Sequence, residues 1–303
     1  MQVVEVIPLK KGIQVESLSY YTAEELKLGA IITVPVRNKN VFALVISVKP
    51  VSTAKAALRS ATFSLRKLPQ QSLKQNLPPS ILKTARAIAE VVPAQLGAIL
   101  YALLPPNVRS GARTYPQLPD HLPGEQIVPG ILTGTKEERF IAYRSHIREA
   151  FAHGGSVVFV LPTSAAAKEA VGLLSSGIES RVMLIAGILT KRELDKAYEQ
   201  FEDLRHSKLI ITTPNYAFLC RHDITTIIVD NSSSQHYVSR NRPYLDARVS
   251  LKKYAEVISA KIILGDNVPP TEDEVLRREE TYVTHEEHLT RLQINSAVEY
   301  VSD

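Results

Sequence analysis

The chain has 303 residues, a formal charge of +5, 45% apolar and 22% charged residues. That length predicts two domains, and the composition excludes wholesale disorder. The apolar runs fall short of a membrane span, and the amino-terminal MQVVEVIPLKKG lacks the order of a secretory signal. The one cysteine, Cys220, excludes an internal disulfide framework and a multi-cysteine zinc site. A cytoplasmic protein is the expectation.

The charge is unevenly placed. Residues 1–125 hold 15 Lys+Arg against 7 Asp+Glu, an excess of +8, and residues 126–303 hold 21 against 24, or −3. A one-sided positive excess suits a polyanionic partner, because bound Lys and Arg release counterions from nucleic acid. Ordinary solubility charge is the alternative.

In chain order, residues 3–9, 14–21, 30–37 and 41–49 are short, β-branched and aromatic, with turn residues between them. They predict strands of a small antiparallel sheet or partly closed barrel. Residues 52–76 are polar and predict a strand and a loop. Residues 77–92 predict a helix capped by Ser80, with Ile81, Ala85, Ile88 and Val92 at helical spacing. Residues 95–106 predict a second helix stopped by Pro105 and Pro106. Two such helices fit a small helical or winged-helix-like module. A proline- and glycine-rich linker follows.

From residue 130 onward strands and helices alternate: helix 136–153, strand 155–163, helix 164–175, strand 181–187, helix 190–206, strands 208–214 and 224–231, helix 246–258 and strand 260–267. Continuous apolar strands with amphipathic helices between them predict a parallel sheet covered on both faces, which binds ligands at the carboxyl ends of its strands. The acidic segment 272–303 is predicted as helix or mobile tail. The expected divisions are a β-rich domain over 1–72, the helical module over 73–110, a linker over 111–126 and an α/β lobe over 127–303.

Four places carry possible chemistry. Gly134, Thr135 and Lys136 precede a helix where a phosphate-cradling loop would sit, but the second glycine and the Lys-Ser/Thr pair of such a loop are missing. Glu137 and Glu138 in the first turn suit the helix dipole and repel phosphate, so an ordinary helix start competes. Asp230 ends an apolar strand, the place of a Mg²⁺-organising acid; Asn231 follows it, and an amide takes no proton from water. A turn-forming Asp-Asn is the alternative. Arg240, Arg242 and Arg248 lie among Tyr237 and Tyr244, a mixture that suits single-stranded nucleic acid as well as a solvated loop. Lys10, Lys11, Arg37, Lys39 and Lys49 sit at predicted strand ends and turns beside Tyr20 and Tyr21, of which one faces inward and one outward. The outward ring either stacks on a base or covers the sheet edge. His206, His222 and His236 show no metal spacing with Cys220, which reads as a small buried apolar group. No catalytic or metal-binding residue is expected.

As an ordered set these segments resemble the primosomal protein N′ (PriA) family, superfamily 2 helicases that restart stalled replication forks. The stretch VEVIPLKKGIQVESLSYYTAEELKLGAIITVPVRNKNVFALVISV is similar to the family's 3′ DNA-binding domain. LPPSILKTARAIAEVVPAQLGAILYALLPP is similar to its winged-helix segment, and GGSVVFVLPTSAAA to motif Ia. KLIITTPNYAFL, TIIVDNSSSQHYVSRNRPYLDARVSL and ILGDNVPPTEDEV follow later helicase motifs in order and spacing.

The resemblance implies a multidomain protein: an antiparallel β 3′ DNA-binding domain, a winged-helix-like module and a RecA-like lobe of the P-loop NTPase type. It implies DNA as partner, as a fork, a 3′ end or a single strand, and contact with replication-restart proteins. Lys10, Lys11, Ser19, Tyr20, Arg37, Lys39, Arg240, Arg242 and Arg248 become the DNA-binding candidates. Leu18-Ser19-Tyr20 stands where the family has an end-binding triplet, and Arg37 where it has a glycine.

The family's ATP and magnesium map onto a vestige only. Gly134, Thr135, Lys136 and Asp230 remain, while Asn231 and Asp266-Asn267-Val268 replace motif residues. The expectation is a DNA-binding protein with inactivated helicase motifs. Two alternatives are an ATPase completed by a separate second-lobe chain, and a primosome interaction scaffold.

Overall fold

The computed structural model describes residues 1–10, 17–36, 39–50, 65–69, 75–109 and 128–287. In chain order the elements are β1 Gln2–Pro8, β2 Leu18–Thr22, β3 Ala30–Val36, β4 Lys39–Pro50, β5 Arg66–Lys67, β6 Gln75–Asn76, α1 Pro79–Ala89, α2 Leu96–Leu103 and α3 Pro106–Arg109. They continue with β7 Gly130–Thr133, α4 Lys136–Ala152, β8 Ser156–Val160, α5 Ser164–Leu174, β9 Val182–Ile185, α6 Lys191–Glu202, β10 Leu209–Thr212 and β11 Ile224–Asp230. The last are α7 Ala247–Ile258, β12 Lys261–Asp266, α8 Thr271–Arg278 and β13 Val283–Glu287.

Two compact units form. The first comprises Met1–Pro123 with Asn215–His222 and Val238–Ile258. Its six-stranded sheet runs β5-β2-β1-β4-β3-β6. The pairs are antiparallel except the short parallel contact of β2 with β5. Alternation explains its core: Val4, Val6, Tyr20, Ile32, Val34, Ala43 and Val45 point to one side and are buried together.

In the same unit α1 packs on α2 and α7, burying Ile81, Ala85 and Ile88 of the predicted apolar face; Val92, predicted with them, lies beyond the end of α1 at Ala89 and is half-exposed. Its cap differs from the expectation. Pro78 is the N-cap and Pro79 the first helical residue, a position where the fixed φ of proline is already helical. Ser80 lies one residue inside, buried, with its hydroxyl 3.4 Å from the Cys220 sulfur. Cys220 is itself buried.

The second unit comprises Gly124–Pro214, Asp223–Tyr237 and Ser259–Asp303. Its seven-stranded sheet runs β13-β7-β12-β11-β8-β10-β9. Every pair is parallel. β8 is buried at all five positions, as a strand covered on both faces must be. Capping boxes start α4, between Thr135 and Glu138, and α6, between Thr190 and Glu193.

The α/β elements lie where the sequence places them to within a few residues. Two differences stand out. Within the segment expected to be helix or tail, α8 is followed by a strand, β13, which pairs with β7. Segments 215–222 and 238–258, expected in the α/β lobe, group with the first unit. The expected linker over 111–126 lies outside the described residues.

Candidate nucleotide and nucleic-acid sites

The carboxyl ends of β7, β11 and β12 converge on Asp230, the last residue of β11. Its side chain is 1% exposed, and that of Arg139 from α4 is 3% exposed. The Arg139 Nε donates to Asp230 Oδ1 at 2.8 Å, and the Tyr143 hydroxyl donates to the same oxygen at 2.8 Å. The other guanidinium nitrogens donate to the Gly134 carbonyl at 2.7 Å and to Asn231 Oδ1 at 3.0 Å. A buried carboxylate costs several kcal/mol unless paired and hydrogen-bonded, and here the fork of one arginine supplies that pairing.

The titration behaviour follows. Burial disfavours the charged Arg139, but the hydrogen bond and charge of Asp230 outweigh it, so its pKa is raised. Burial, then the Asp230 charge, pushes the Tyr143 hydroxyl well above its ordinary value, so it stays a donor. The cluster extends outward. Asp266, ending β12, accepts from the Ser233 and Asn267 amides at 2.6 and 2.7 Å. Tyr237 donates to the Asp230 carbonyl at 2.6 Å and the Val160 carbonyl at 3.0 Å. Asn231 has φ +53°, a conformation that asparagine tolerates better than most residues.

A nucleoside triphosphate with magnesium needs an accessible strand-end acid, free amides at a helix N-terminus and a lysine aimed at the loop. These residues do not fit that group. Asp230 is engaged by Arg139. The Thr135 amide donates to Glu138 Oε2 at 2.8 Å, and the Glu138 amide to Thr135 Oγ1 at 3.4 Å. The helix start is thus capped by its own carboxylate. Lys136 pairs with Glu169 of α5 at 2.6 Å. Its ammonium lies 5.8 Å from the Phe140 ring centroid.

Sequence reasoning missed Arg139 and Tyr143. The signal was spacing: Arg139, Tyr143, Ile147 and Ala150 fall on the buried stripe of α4, so an arginine there faces the sheet rather than solvent.

The DNA-binding candidates separate by environment. Lys10 and Lys39 are exposed; Lys11 and Arg37 lie outside the described residues. Ser19 is half-buried on β2, opposite Glu5. Tyr20 is a core residue, 4% exposed, and its hydroxyl donates to the Pro35 carbonyl at 2.9 Å. Burial pushes its pKa up, against a smaller opposing effect of Arg66. Tyr21, half-exposed, is the outward member of the pair.

Arg248 is engaged by Asp246, with its Nε 2.9 Å from Oδ1 and its amide 2.8 Å from the same oxygen. Arg240 and Arg242 remain exposed, with Tyr244 at 58%. They sit on a loop closed by the Val238–Asp246 bridge and by the Ser239 amide donating to the Leu245 carbonyl at 2.8 Å. Lys10, Lys39, Arg240 and Arg242, far apart in sequence, belong to one compact unit.

Among the described residues no group of three or more His, Cys, Asp or Glu is arranged to hold a metal ion. No described helix is long and apolar enough to cross a membrane.

No family model matches the chain, and no curated protein matches it. Among solved structures it is similar to S. cerevisiae Dbp5 bound to RNA and ADP BeF3, at 14% identity over 54% of this chain and 42% of that one, with a TM-score of 0.38. Domain 2 of the DEAD-box helicase Mss116p bound to an RNA duplex gives 13% identity over 54% and 65%, with a TM-score of 0.38. A doubly truncated Mss116p bound to ssRNA and AMP-PNP gives 16% over 69% and 43%, with a TM-score of 0.35. The similarity spans 42% of the length of that Dbp5 structure.

Proposed function

We propose that this chain binds forked or 3′-ended DNA in a replication-restart setting, as its resemblance to primosomal protein N′ implies, without turning over nucleotide. In this reading the six-stranded sheet binds the DNA, the helices that follow it up to residue 110 act as the winged-helix-like module, and the parallel-sheet unit is a helicase lobe whose motor is silent. The observation that carries the reading is Arg139: its guanidinium takes the strand-end carboxylate of Asp230 that a motor would give to magnesium. The DNA partner is supported by the +8 excess of residues 1–125 and by the exposure of Lys10, Lys39, Arg240 and Arg242.

The test is titration of the full chain against blunt duplex, 3′-tailed and forked DNA at graded salt, with and without ATP. Affinity falls steeply with salt, by a log–log slope of roughly −0.9 per duplex phosphate contacted, and tailed or forked DNA binds more tightly than blunt duplex. ATP changes nothing. Charge reversal at Lys10, Lys11 and Arg37 weakens binding. A flat salt response, or hydrolysis by the purified chain, contradicts the reading.

A further inference from the structure

Among the described residues, the outward face of the six-stranded sheet is covered at one end only. Along β1, Val4 and Val6 are fully buried while Val3 and Glu5 are half-exposed, so odd and even residues face opposite sides. Register carries this across the sheet. Lys67 of β5 stands opposite Tyr21 of β2, Tyr21 opposite Val3, and Val3 opposite Lys49 of β4. Their neighbours Tyr20, Val4 and Leu68 belong to the core. Lys67, Tyr21, Val3 and Lys49 therefore form one row on the other side. Both lysines are exposed, and the tyrosine and valine are half-exposed.

Farther along β1 the same side is closed. Ile7, its partner Leu44 and Ile31 are buried. There α2 lies so close to β1 that a Cβ on Gly97 would meet the Pro8 carbonyl and come within 2.8 Å of Ile7 Cγ2. Glu5, in the next row, accepts a hydrogen bond from the Ser17 hydroxyl at 2.6 Å.

We propose that the row Lys67–Tyr21–Val3–Lys49 is a platform for single-stranded DNA, with a base stacked on Tyr21 over Val3 and a phosphate held by each lysine. This rests on the DNA-binding reading above and locates a contact that the reading does not assign. An aromatic ring flanked by cations is the arrangement that binds single strands irrespective of sequence, since every base has a π face. Three inter-strand steps of about 4.8 Å put the two lysine-bearing strands roughly 14 Å apart, room for one base with phosphates to either side. The row lies at the opposite end of β4 from Lys39, ten residues away, or about 30 Å along an extended strand.

The test measures binding of fluorescein-labelled oligothymidylate to the full chain at graded salt, with each variant's thermal unfolding recorded beside it. Tyr21→Leu keeps apolar bulk and loses the π face, and weakens binding roughly tenfold or more; Tyr21→Phe keeps it. Lys49→Gln with Lys67→Gln makes the single-strand salt slope shallower by about 1.4, since each contact contributes roughly 0.7. Undiminished affinity in folded Tyr21→Leu, or an unchanged slope in the double variant, removes the platform and leaves DNA binding through other residues standing. Absence of binding by the unaltered chain to any DNA removes the functional reading itself.

Discussion

At the carboxyl end of β11 a carboxylate and a guanidinium, 1% and 3% exposed, neutralise each other. On the β5–β2–β1–β4 part of the other sheet Lys49 and Lys67 are exposed, in one row with a half-exposed tyrosine. The first region places its charge inside and satisfies every guanidinium nitrogen with a neighbour from its own chain. The second keeps its charge exposed among the described residues. Nucleotide chemistry requires an accessible strand-end acid and polyanion binding requires accessible cations. Charged residues thus support structure in one place and, in the proposed reading, recognition in the other.

The comparison breaks most readily at Arg139. Arg139→Met leaves Asp230 buried and uncompensated and lowers stability by about 3–5 kcal/mol, read as a fall in the urea midpoint. Arg139→Met with Asp230→Leu removes both charges and recovers most of the loss. A double variant as unstable as the single one shows that the pair is not a unit. Tyr143→Phe withdraws one hydrogen bond to a charged oxygen and costs about 1.5–3 kcal/mol, and its effect shrinks when Asp230 is already replaced.

Thr135→Ala opens the capping box of α4 and costs about 1 kcal/mol, smaller because that box lies at the exposed helix start. The smallest effect concerns Glu274 at the surface, whose carboxyl the Arg277 and Arg278 side chains hold at about 2. A folded pKa below the unfolded value contributes stability at pH above about 4.5, and this is lost as pH falls toward 2. Glu274→Gln slightly flattens acid unfolding in that window.

The α/β alternation was legible because its strands are continuous apolar runs and α4, α5 and α6 start with threonine caps, both local signals. The Tyr20–Tyr21 pair was half legible: alternation says that one faces inward, but only the register with Val4 and Val48, and the core beneath, decides that it is Tyr20. β13 was not legible. A strand reading Val-Thr-His-Glu-Glu owes its form to pairing with β7, which composition does not encode. Arg139 was hidden for a related reason. A charge on an amphipathic helix reads as solvated until its partner, 91 residues away, is in place.

The most direct measurement is thermal unfolding of the full chain with and without ATP and Mg²⁺. With Asp230 held by Arg139 and the start of α4 closed by Glu138, the midpoint does not move at millimolar nucleotide. A rise in midpoint that Asp230→Asn abolishes would contradict the account.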